Sequence, residues 1–259
     1  MRLPRYLFRA FVLAAFTGIL IPAVARADII GFGDFSGFTI NQTDTGAAPT
    51  ISNGSILLTN QNDFENRSVF YNTRQNISQF TASFTYTLSG YANDVAGACF
   101  VLQDSTAATT ACGNYNLAAG GISPSAEISL EIRNGNPGWS GFYTNGNIGG
   151  GSPSTSPVNL YSGDPINVTL TYNGSILHEN LLDTVTAASY DASYVTNLSS
   201  ILGRSDAFVG ITANSGDINC RAAQDFSNFH FTSSVPEPST LVLLGIGAIS
   251  LLAHVWRKV

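Results

Sequence analysis

Lysine is almost absent from this chain. Of 259 residues only Lys258 is a lysine, and between Asp28 and Ser234 the basic residues are Arg67, Arg74, Arg133, Arg204 and Arg221 alone. Sixteen Asp and Glu oppose those five, a balance of −11 that the whole-chain value of −6 understates. A body this acidic does not bind nucleic acid by neutralising phosphates; it stays soluble and can attract cations. Cysteine is scarce too, with Cys99, Cys112 and Cys220 alone. None has a partner at C-x-x-C spacing, and His178 and His230 stand far apart, so no zinc motif is spelled out. The body has no helix-period stretch, no internal repeat, no P-loop, no dinucleotide fingerprint and no Ser-His-Asp signature. These gaps exclude the helical and nucleotide-binding classes.

What is present is a strand composition. Ser, Thr, Asn and Gly dominate the polar residues and accompany Val, Ile, Phe and Tyr, the mixture of strands joined by turns. In "FTASFTYTL" Phe80, Ala82, Phe84, Tyr86 and Leu88 alternate with Thr and Ser. In "AEISLEI" Ile128, Leu130 and Ile132 alternate with Glu127, Ser129 and Glu131. "INVTLTY" and "AFVGIT" behave alike, and "GNIGGGSPSTSP", Gly146 to Pro157, is a low-complexity loop. The pattern predicts an all-β sandwich or barrel. Residues 28–234, about 200 in number, suffice for one well-cored domain.

Both ends differ from the body. Arg2, Arg5 and Arg9 precede an apolar run from Leu7 to Val24, and Ala25-Arg26-Ala27 follows, the layout of a secretory signal peptide over 1–27 cut by signal peptidase after Ala27. At the other end Val235-Pro236-Glu237-Pro238 leads through Ser239-Thr240 into an apolar stretch, 241–256, and then Arg257 and Lys258. That stretch spans only a thin bilayer, with its basic end at the cytoplasmic face. This order resembles the PEP-CTERM sorting signal of Gram-negative bacteria. The resemblance implies a transient inner-membrane anchor over 235–259, processing by an exosortase near Pro236, Glu237 and Pro238, and a final place at the cell surface or outside the cell.

The order of the body's strands carries a second resemblance. "GSILLTN", "RSVFYNTRQNISQFTASFTYTLS", "AGACFVLQ", "LAAGGI", "AEISLEIRN", "INVTLTYNGSIL", "DAFVGITANSGDIN" and "FSNFHF" follow one another as in the L-type (legume-type) lectin domain. The fold implied is a concanavalin-like jelly-roll sandwich of two antiparallel sheets, here flanked by a signal helix and a transmembrane helix. Such a domain holds a sugar in a shallow site of four loops, with carboxylates accepting from hydroxyls and an aromatic face covering the ring. Where the family has Ala-Asp-Gly, this chain has Val95-Ala96-Gly97, with Asp94 nearby. Gly120-Gly121 matches the glycine loop, and Ser215-Gly216-Asp217-Ile218 stands for the specificity loop. Glu131 keeps the start of the calcium–manganese segment, but Arg133 replaces its Asp and Pro137 its Asn. The metal pair is therefore expected to be missing, because hard cations need several oxygens. Asp94, Gly121, Trp139 and Asp217 are the carbohydrate-binding candidates. An exopolysaccharide or other glycan is the expected ligand, and no cofactor is expected.

Two other readings stay open. A sandwich that binds nothing would be a structural matrix protein. The same architecture supports glycoside hydrolases, and Glu127 and Glu131 have the spacing of a carboxyl pair on one strand face; but Ser129 stands between them, and a strand with a solvated glutamate face is the simpler expectation. The chain is thus expected not to be an enzyme. In an exported protein Cys99 and Cys112 are candidates for a disulfide, with the other two pairings open.

Overall fold

In the computed structural model of the chain, residues 28–91, 96–133, 135–149, 151–218 and 220–233 are described. The expected signal helix, the tail helix, Asp94 and the processing residues Ala27, Pro236, Glu237, Pro238, Arg257 and Lys258 lie outside them. Among the described residues no helix is long and apolar enough to cross a membrane.

The first half of the chain forms β1 (Ile29–Ile30), β2 (Phe38–Gln42), β3 (Thr50–Ser52), β4 (Ser55–Asn60), β5 (Asn66–Tyr71), β6 (Gln75–Asn76), β7 (Phe80–Tyr91) and β8 (Ala96–Gln103). The second half forms β9 (Ser125–Ile132), β10 (Trp139–Thr144), β11 (Ile166–Tyr172), β12 (Ile176–Asp183), β13 (Ser189–Val195), β14 (Asp206–Asn214) and β15 (Arg221–Ser233). A short helix, α1 (Leu198–Leu202), starts on the Asn197 side chain, which accepts the Ser200 N–H, and stops at Gly203 with φ of 73°.

All the pairings are antiparallel. One sheet has eight strands in the order β13-β12-β11-β7-β15-β4-β3, with β1 also beside β15. The other has seven in the order β10-β9-β8-β14-β5-β2, with β6 beside β14. The alternation read from sequence decides what lies between them. β7 turns Phe80, Ala82, Phe84, Tyr86 and Leu88 inward, against Ala98, Phe100 and Leu102 of β8 and Ile128, Leu130 and Ile132 of β9. Phe84 and Phe100 stack across the sandwich at 6.5 Å between ring centroids.

A second, smaller core lies on the outer face of the seven-stranded sheet. The long connection from β8 to β9 folds back over it and packs Ala111, Leu117, Ala119 and Ile122 on Phe70, Cys99 and Val101. β8 and β9 are therefore buried along their whole length on both faces. Gly210 permits this packing: a Cβ there would meet the Val69 carbonyl oxygen at 2.3 Å and the Phe70 ring at 2.4 Å.

The expected disulfide between Cys99 and Cys112 is not formed; both are thiols. Cys99 lies on β8, while the Cys112 Sγ sits 3.6 Å from the Asn66 carbonyl at the start of β5, with β14 between the two strands. Two strand spacings, about 9–10 Å, exceed what a disulfide closes. Burial raises both thiols, Cys112 to about 11.

Candidate functional site

One end of the seven-stranded sheet gathers most of the loops that matter. Ala96 pairs with Ile132, Gly97 with Asn214, and Asn214 with Asn66. The connections 61–65, 135–138 and 215–218 therefore open at this rim. Its foundation is ionic. Arg67, fully buried, pairs with Asp44 and with Glu65 at 3.3 Å, and donates to the Ala47 carbonyl at 2.9 Å. Glu65 in turn accepts the Asn60 N–H at 2.6 Å and the Asn62 amide at 3.1 Å. The backbones of Glu65 and Ser215 are tied together, the Glu65 N–H donating to Ser215 Oγ at 2.9 Å and the Ser215 N–H to the Glu65 carbonyl at 3.0 Å. The ion pairs thus fix where the 215–218 loop stands.

This fixation presents an aromatic ring. Phe64, at φ of 62°, donates its N–H to the Gly216 carbonyl at 3.1 Å and leaves half of its side chain exposed. Beside it, Asp217 is exposed, and its Oδ1 accepts the Ile218 N–H at 2.6 Å. Sequence reading picked out Asp217 but missed Phe64. The signal was a lone aromatic among Asn62, Asp63 and Glu65, off any strand alternation.

The other candidates do not join this pair. Trp139 opposes Glu131 at the start of edge strand β10, half-buried and bridged to Ser154. Three strand spacings, about 14 Å, separate β10 from β14, so Trp139 and Asp217 cannot hold one monosaccharide. Gly121 lies within the loop over the outer face, lining a shallow pocket of about 170 Å3 with Cys112 and Gly120.

The glutamate face of β9 is not solvated, contrary to expectation. Glu127 is 1 % exposed and Glu131 8 %. Glu127 meets the Ser125 hydroxyl and accepts the Gly146 N–H at 3.0 Å; Glu131 accepts from Ser129 at 2.9 Å and Ser152 at 2.7 Å. Both carboxyls anchor the loop that covers them, with Tyr143 bonded to Ser152 above, so the pair lines no open cleft of the kind a hydrolase needs to admit water and a sugar chain. Glu131, the one residue kept from the lectin metal segment, accepts from two hydroxyls, and among the described residues no three His, Cys, Asp or Glu side chains converge.

Residues 234–258 match the PEP-CTERM protein-sorting motif. No curated protein matches the chain. Among solved structures, lectin I-B4 from Griffonia simplicifolia, in its metal-free form, superposes with a TM-score of 0.63 at 15 % identity, covering 81 % of this chain and 100 % of its own. A lectin from Bauhinia forficata in complex with GalNAc gives 0.61 at 14 % identity, covering 81 % and 100 %. Arcelin-5, a lectin-like defense protein from Phaseolus vulgaris, gives 0.62 at 16 % identity, covering 81 % and 99 %. The chain thus joins a sandwich with the legume-lectin fold to a C-terminal PEP-CTERM sorting motif.

Proposed function

We propose that this is an exported carbohydrate-binding protein of the bacterial cell surface or exopolysaccharide matrix, freed from its leader by signal peptidase, held briefly at the inner membrane by its tail, and processed by an exosortase-type enzyme. The observation that carries the binding reading is the exposed Phe64 ring at the rim of a sandwich with the lectin fold, its backbone bonded to the loop that carries the exposed Asp217. A ring face covers the apolar side of a sugar and a carboxylate accepts from its hydroxyls. The binding needs no metal, since the family's ligand set is broken at Arg133.

A glycan array probed with calcium and manganese, and again with chelator, tests the reading. The same glycans are expected to bind in both conditions, and Phe64→Ala to weaken binding at least tenfold at an unchanged melting temperature, about the value of one stacked ring. Loss of binding in chelator overturns the metal-free reading. No binding in either condition leaves the structural matrix protein, and release of reducing sugar returns the hydrolase.

A further inference from the structure

The outer face of the eight-stranded sheet holds a groove of about 290 Å3, lined by Ser83, Thr85, Asn167, Thr169, Asn228 and His230. We propose that this groove is a second glycan site, taking an uncharged polysaccharide chain, and that the protein is therefore bivalent. It lies on the opposite sheet from the rim; the groove as a site stands without the rim reading, and only the bivalency rests on it.

The groove is made by an irregularity in β15. Ser227 pairs with Thr85 and His230 with Ser83, so two residues of β15, Asn228 and Phe229, oppose the single Phe84 of β7. Phe229 goes into the core, and the extra residue, Asn228, turns outward at φ of 52°. Such bulges re-aim a side chain out of the ladder. Here the result is a set of oriented polar groups. The Asn228 amide donates to Thr85 Oγ1 at 3.2 Å, and Thr85 Oγ1 donates to Asn167 Oδ1 at 2.9 Å. This relay fixes both amides and leaves an acceptor, Asn228 Oδ1, and a donor, Asn167 Nδ2, at its two ends. In the next cross-strand row, Thr169, Ser83 and His230 stand side by side. Among the described residues their side chains make no hydrogen bond to one another or elsewhere. Paired hydroxyl and amide groups of this kind match a row of sugar hydroxyls, each of which donates and accepts.

Charge chooses the class of chain. No Asp, Glu, Lys or Arg lines the groove, and the body around it carries −11 from its 16 acids and 5 arginines. A polyanion has no cation to meet there and is repelled by the rest, whereas a neutral glucan loses nothing. Two sites on different sheets join two chains, or two stretches of one chain, with the gain that linked binding gives.

Affinity gel electrophoresis of the full chain in mild detergent tests this, with dextran, pullulan or laminarin cast into the gel and alginate as the anionic control. The rim is first disabled by Phe64→Ala/Asp217→Asn. At least one neutral glucan is expected to retard this variant and alginate not to. Adding Asn228→Gly and Asn167→Thr is expected to raise the dissociation constant at least tenfold. Glycine keeps the positive φ and threonine suits an exposed strand, so the melting temperature should hold; Thr169→Val, alone, removes one hydroxyl at constant shape and should give a smaller loss. The groove is overturned if no neutral glucan retards the rim variant, if alginate retards it equally, or if the groove substitutions change nothing. Retardation of the unmutated chain together with none of the rim variant leaves the rim reading standing alone.

Discussion

Replacing Arg67 with methionine is expected to lower folding stability by about 3–5 kcal/mol, the usual cost of breaking a buried pair from one side. The guanidinium is fully buried between Asp44 and Glu65, and Glu65 is itself 1 % exposed. Methionine fills the space without strain, but it strands a carboxylate out of water and takes from the Ala47 carbonyl the nearer of its two donors, at 2.9 Å, leaving the Asn60 amide at 3.4 Å. Arg67→Lys keeps the charge and loses the planar fork that reaches both acids at once, so an intermediate loss is expected. Adding Glu65→Gln to Arg67→Met should return part of the stability, because the uncompensated charge goes with it, and the difference in a double-mutant cycle gives the coupling. Denaturant midpoints at unchanged slope provide the measurement; a loss under about 1 kcal/mol would place the pair among interactions of surface strength. The same substitution reaches the rim. The Glu65 backbone holds Ser215 through two hydrogen bonds, to its hydroxyl at 2.9 Å and from its N–H at 3.0 Å, so glycan binding should weaken more in Arg67→Met than in a destabilised variant remote from the rim.

The core was legible because it is local. A strand that alternates Phe80, Phe84, Tyr86 and Leu88 with hydroxyl residues can face a core in only one way, and the order of such strands already resembled the lectin sandwich. The sequence was equally explicit about the sorting motif, whose residues are adjacent. β13 escaped notice although Tyr190, Ala192 and Tyr194 alternate there, since "SYDASYV" is polar on its other face and follows a loop. What could not be read was the outer face of the seven-stranded sheet. Glu127 and Glu131 alternate with Ile128 and Leu130 as a solvated face would, and only the folding back of residues 104–124, and of Gly146 and Ser152, buries them. That event depends on Phe70, Cys99 and Val101, contributed by two other strands, and no local pattern announces it. Site residues failed for the same reason. Phe64 becomes a rim residue only because Glu65 is pinned from 150 positions away, whereas Gly121 matched a motif and lies elsewhere.

Raising the pH from about 4.5 to 7 is expected to destabilise the domain, against the usual behaviour of a protein whose acids are paired. Two buried glutamates cause this. Burial pushes Glu127 and Glu179 up to about 7, their hydroxyl partners only partly opposing it. Glu179 lies on an inward position of β12, meeting Ser140 of β10 and accepting the Tyr194 hydroxyl at 2.9 Å, so it joins the edges of the two sheets. Ser140 Oγ is shared between Glu179 and the Ser129 carbonyl, 2.7 Å away, and Ser125 Oγ between Glu127 and the Ile122 carbonyl, so the single proton of each hydroxyl offsets the burial only in part. In the unfolded chain both acids titrate near 4.5. Between that value and about 7 the folded state therefore holds more protons than the unfolded one, and stability falls as pH rises, by about 3 kcal/mol for each carboxyl, levelling off above 7. At roughly 2–4 °C per kcal/mol for a domain of this size, the melting temperature should drop by about 10 °C or more across the window. Glu179→Gln keeps a donor and an acceptor and cannot ionise, so it should remove about half of the drop and leave the variant the more stable protein at pH 8. A melting temperature that is flat or rises between pH 4.5 and 7 would mean that both acids ionise freely, and that the seam between β10 and β12 is held by charge after all.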